Sequence, residues 1–111
     1  MTARHKLNQT RRGTTTKIVC GAVSIYVTVN ADSAGNAREM FIRADNGWQG
    51  WCDVLAETAS LYLQRGGDLA ELYRHWRGHR FAPDGIAGQG TSLPDAIARE
   101  GEYQKRGEAL P

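Results

Sequence analysis

Val23, Ile25, Val27 and Val29 alternate with Ser24, Tyr26, Thr28 and Asn30. A period of two built largely from β-branched residues predicts a half-buried strand. Gly21-Ala22 breaks the alternation, which sets residues 17–20 apart as a short strand joined to the next by a tight turn. Asp32-Ser33-Ala34-Gly35-Asn36 is turn chemistry. Residues 38–43 then put Met40 and Ile42 on one face and Phe41 on the other. After Asp45-Asn46-Gly47 the period lengthens. Trp51, Val54, Leu55, Leu61 and Tyr62 form an expected core stripe of a first helix, with Asp53, Glu57, Ser60 and Gln64 on the solvent side and an end at Gly66-Gly67. Asp68, with Glu71 three residues on, opens a second helix whose stripe is Leu69, Leu72, Tyr73 and Trp76, and Gly78 stops it. In Thr91-Ser92-Leu93-Pro94-Asp95, Ser92 suits an N-cap and Pro94 a first turn. Asp95 suits the positive end of a third helix, with Ala96, Ile97 and Tyr103 toward the core. Strands followed by helices predict an α+β fold, a two- to three-stranded antiparallel sheet with two or three helices packed on one face.

A length of 111 residues fits one domain and leaves no room for a two-lobed enzyme. The expected organisation is a basic arm over residues 1–16, one α+β domain over 17–104 and a tail over 105–111. No apolar run has the length of a membrane span, and the polar start does not resemble a signal peptide, so a cytoplasmic protein is expected. The net charge of +2 conceals an asymmetry: residues 1–17 carry Arg4, Lys6, Arg11, Arg12 and Lys17 with no acid. Such an arm suits nucleic acid, although a solvated tail or a self-docking arm accounts for the same charges.

Cys20 and Cys52 stand 32 residues apart, with the spacing of neither a zinc site nor a disulfide framework. His75 and His79 straddle Gly78, where the helix is expected to end, so no metal and no cofactor is expected. The densest chemistry lies in Arg74-His75-Trp76-Arg77-Gly78-His79-Arg80, followed by a glycine-rich run through Gly85, Gly88 and Gly90 into Thr91-Ser92. Arginines beside a helix N-terminus and two hydroxyls make a chemically sensible phosphate site, with Arg77, His79, Arg80, Gly88, Gly90, Thr91 and Ser92 as candidates. Ion pairs of Arg77 and Arg80 with surface acids, and glycines that merely shape a turn, are the alternative. No Gly-Lys-Ser/Thr follows the glycines, so this is not a Walker loop. Trp48 and Trp51 offer a stacking surface for a base, or a core or dimer contact.

Trp76-Arg77-Gly78-His79-Arg80-Phe81-Ala82-Pro83-Asp84-Gly85 resembles the RGxRFxPxG stretch near the C-terminus of vitamin B12-dependent (class II) ribonucleotide reductases. Thr91-Ser92-Leu93-Pro94-Asp95 resembles the TSCPD motif of a small domain in those enzymes. The order of the other parts agrees, from Arg11-Arg12-Gly13-Thr14-Thr15 through Tyr26-Val27-Thr28-Val29 and Glu39-Met40-Phe41-Ile42, so the resemblance spans roughly residues 10–100. Leu93 stands where the motif has cysteine, which removes any role resting on that thiol. The resemblance implies the appended domain without the reductase's large barrel, of a type familiar as stand-alone proteins in phage and bacterial genomes.

No catalytic residue is assigned: Asp53, Glu57 and His75 can supply acid and base, but their spacing singles out none of them. The expected function is a non-catalytic nucleotide- or phosphate-binding module, a candidate accessory of a reductase. Two alternatives are a phage sponge that sequesters a nucleotide signal and a protein or nucleic-acid interaction module using the basic arm. A small domain with three tryptophans to hide is expected to form a homodimer or higher homo-oligomer.

Overall fold

The computed structural model describes residues 12–45, 47–81 and 90–106, and side chains through Glu102. Residues 1–11, Asn46, residues 82–89 with the candidate Gly88, the side chain of Tyr103 and residues 107–111 lie outside them. Three strands, β1 (Arg12–Cys20), β2 (Val23–Ala31) and β3 (Ala37–Ala44), form an antiparallel sheet in the order β1-β2-β3. Three helices follow, α1 (Gln49–Gln64), α2 (Leu69–Trp76) and α3 (Leu93–Arg106), completing the α+β arrangement. β1 is longer than its apolar alternation indicated and reaches back to Arg12. Three consecutive threonines, Thr14 to Thr16, carry it with β-branched chains that favour extended backbone without needing burial.

The chain divides into two compact units, residues 1–17 with 25–69 and residues 18–24 with 70–111. In the first, β2 pairs with β3 in a register that sets Val27 opposite Ile42 and Val29 opposite Met40. α1 packs on β3. The face of α1 differs from the one expected: Cys52, Ala56, Ala59, Leu63 and Gln64 are buried, whereas Trp51, Val54, Leu61 and Tyr62 are exposed. Cys52, with alanines four and seven residues on, makes a narrow, smooth stripe on the helix that packs against β3, whose inward residues are Met40 and Ile42. Small side chains therefore face the sheet, although the larger apolar ones also recur at helical spacing.

Side chains of α1 also close the free edge of β3. The Ser60 hydroxyl accepts the Met40 N–H at 2.8 Å and donates to the Met40 carbonyl at 3.0 Å. The Gln49 amide accepts the Ala44 N–H through Oε1 at 2.8 Å and donates from Nε2 to the Ile42 carbonyl at 2.7 Å. Both mimic a neighbouring strand and deny the edge to another chain. Arg38 donates to the Leu63 carbonyl at 2.8 Å, an acceptor in the last turn of α1 that also takes the Gly66 N–H, and pairs with Asp32 at 3.1 Å.

The buried apolar side chains of the second unit are Ile18, Cys20, Val23, Tyr73, Leu93, Ala96, Ile97 and Ala98. Of the stripe expected on α2, Tyr73 is buried, and Leu69, Leu72 and Trp76 are half-buried. Burial pushes the Tyr73 phenol well above its ordinary pKa. Among the described residues no helix is long and apolar enough to cross a membrane.

Candidate functional site

Ser92 caps α3 as its sequence suggests, its hydroxyl accepting the Asp95 N–H at 3.2 Å. Asp95 does far more than suit a helix dipole. Its side chain has no solvent exposure, and each carboxylate oxygen takes one backbone amide and faces one guanidinium. Oδ1 accepts the Gly78 N–H at 2.7 Å and lies 3.5 Å from Arg77 Nε. Oδ2 accepts the Thr91 N–H at 2.8 Å and the Arg99 Nε–H at 2.8 Å. Burial alone would raise the Asp95 pKa. The Gly78 and Thr91 amides, together with the hydrogen bond and charge of Arg99, outweigh it and hold the carboxyl below its usual range.

Further bonds join the two segments that Asp95 ties together. The Thr91 hydroxyl donates to the His79 carbonyl at 2.7 Å, and the Phe81 N–H donates to the Thr91 carbonyl at 3.2 Å. The stretch from Arg77 to Phe81 is thereby held against Gly90-Thr91-Ser92. Two glycines make this possible. Gly78 has φ +84°, where α2 has ended and its amide turns toward Asp95. Gly90 has φ +98°, and a Cβ there would collide with the backbone of Ala96.

The sequence-derived candidates separate into groups. Arg77 is held between Asp95 and Glu102, the latter at 2.7 Å, so its charge is met within the unit. Thr91 spends its amide, carbonyl and hydroxyl on the clamp. Ser92 is buried as a cap, and Gly90 is buried against α3. His79 and Arg80 are exposed, as are Arg74 and His75 on the last turn of α2. Trp48 and Trp51 belong to the first unit, edge-on to each other at 6.4 Å at the start of α1. Asp95 is the residue whose importance the sequence reading missed. Its signal was present as Ser92-x-x-Asp95, the capping-box spacing, and Asp95-x-x-x-Arg99, an ion-pair spacing on a helix.

The chemistry of this arrangement is that of a neutralised frame carrying exposed cations. The carboxylate of Asp95 takes the Thr91 amide at the head of α3, and the exposed side chains of His79, Arg80 and Arg74 stand outside the clamp. Leu93 is buried, so the position of the motif cysteine is core packing here. Cys20 and Cys52 are both buried and form no disulfide, and burial, with the neighbouring Asp53 charge, pushes the Cys52 thiol up. Among the described residues no group of three histidines, cysteines or carboxylates could hold a metal ion. The first unit has an open groove of about 670 Å³ between β3 and α1, but Glu39, Asp53 and Glu57 line it, an unsuitable surface for phosphate.

The family model for the TSCPD domain matches residues 1–100. Neither the search of curated proteins nor that of solved structures yields a match.

Proposed function

From the chain's membership of the TSCPD-domain family, whose domain is found in class II ribonucleotide reductases, we propose that it is a non-catalytic module that binds the phosphates of a nucleotide, as an accessory to such a reductase. The observation that carries this reading is the Asp95 clamp. A buried carboxylate consumes two backbone amides and two guanidiniums to fix the stretch that presents His79 and Arg80 to solvent. Arg80 and His79 are the phosphate contacts, joined by Arg74, and Arg77, Gly90, Thr91 and Ser92 position them. Burial of both cysteines supports binding over nucleophilic catalysis.

Calorimetric titration of the full chain with deoxynucleoside and ribonucleoside triphosphates tests it. Saturable binding that Arg80→Ala weakens about tenfold, the loss of one charge-assisted hydrogen bond, is expected. No heat with any nucleotide, or an unchanged isotherm in Arg80→Ala, refutes the reading.

Self-association is part of the same proposal. Val54 is 64% and Leu61 49% exposed on the side of α1 turned away from the sheet, with Trp51 and Tyr62 beside them. An apolar ridge on a helix whose other side is already in the core is suited to a second copy of the chain.

A further inference from the structure

The sheet of the first unit has an exposed face as well as a buried one. Alternation along β2 and β3 sends Val27, Met40 and Ile42 inward, and Tyr26, Thr28, Phe41 and Arg43 outward. The Thr15 and Thr28 hydroxyls meet at 2.7 Å, which puts Thr15, and with it Lys17 two residues on, on that outer face. Phe41 is 54% and Tyr26 44% exposed. The register sets Tyr26 opposite Arg43 and Phe41 opposite Thr28, so the two rings are diagonal neighbours on adjacent strands, with backbones about 7–8 Å apart.

We propose that this face binds single-stranded nucleic acid, with one base stacking on Tyr26, the next on Phe41, and the connecting phosphates met by Lys17 and Arg43. Aromatic rings on an open sheet flanked by cations supply what unpaired bases and their backbone require: π-faces, and positive charge beside them. Charge decides against a second copy of the same face as the occupant. The face carries Lys17 and Arg43 against Glu39, which accepts the Asn30 amide at 2.8 Å and with Phe41 borders the acid-lined groove. Its described charges sum to a net positive that suits a polyanion better than a second copy. A duplex keeps its bases stacked and leaves the two rings without partners. The site lies wholly in the first unit and does not depend on phosphate binding at His79 and Arg80.

Fluorescence anisotropy of the full chain with labelled dT and dA 12-mers at 50 and 200 mM salt is the test. The expected result is binding that weakens with salt, falls at least about fivefold in Phe41→Ala and in Tyr26→Ala, and exceeds binding to the matching duplex. Arg43→Gln, a change at an exposed position, lowers the salt slope by about one. The proposal is overturned by absence of binding at 50 mM salt, by affinity unchanged in both Phe41→Ala and Tyr26→Ala, by equal or tighter binding of duplex, or by a dimer that Phe41→Ala dissociates.

Discussion

Asp95 concentrates the stability of the second unit in one carboxylate. Asp95→Asn replaces one acceptor oxygen with an NH₂ group that must face an amide donor and a guanidinium, whichever way the side chain turns. Urea unfolding should show a loss of about 2–4 kcal/mol. The same group has a defined pH signature. Its folded pKa is depressed, so its stabilisation is complete above the unfolded carboxylate pKa of about 4 and drains away as pH falls through the folded value. Asp32 adds in the same sense, because the Asn36 amide and Arg38, with a smaller contribution from the Ala34 amide, hold its carboxyl low. Thermal melts between pH 6 and 2.5 should therefore fall steeply in the native chain and less steeply in Asp95→Asn. Equal slopes would show that Asp95 is not depressed. At this scale the sequence was legible where one residue acts locally, as Ser92 does in capping α3. It was opaque where one side chain gathers partners from afar, since Gly78 and Arg77 lie 17 and 18 residues from Asp95.

Among the elements, existence and order were readable, and the face of α1 was not. Periodicity identifies a helix from its apolar positions, but α1 carries two apolar stripes, and the choice between them is tertiary. The Cys52, Ala56 and Ala59 stripe goes inward because close approach to β3 lets Ser60 and Gln49 reach the strand edge. Ser60→Ala leaves the Met40 amide and carbonyl without that partner and should cost about 1–2 kcal/mol. The double variant Gln49→Ala/Ser60→Ala should in addition aggregate faster on mild heating, followed by light scattering, because it reopens a strand edge. The outward stripe makes a separate prediction. In sedimentation velocity the native chain should run as a dimer or larger and Leu61→Glu as a monomer of unchanged helicity. A monomeric native chain would remove the ridge as a self-association surface.

Across the whole molecule, charge and family membership define the question that remains. The arm-heavy charge distribution was plain in the sequence, and so was the Arg74 to Arg80 cluster. The fate of the cluster's charges was hidden: Arg77 is neutralised by Asp95 and Glu102, whereas His79 and Arg80 face solvent. The resemblance and the family match over residues 1–100 agree on the domain, and Asp95 ties Gly78 of one motif to Thr91 of the other. On the proposed reading, this tied pair of segments is a phosphate-binding frame. Amide chemical-shift mapping of the 111-residue chain during titration with a deoxynucleoside triphosphate is the test. Saturable shifts concentrated at His79, Arg80 and Thr91 and abolished in Arg80→Ala are expected. Shifts absent from that stretch at saturating nucleotide would contradict it.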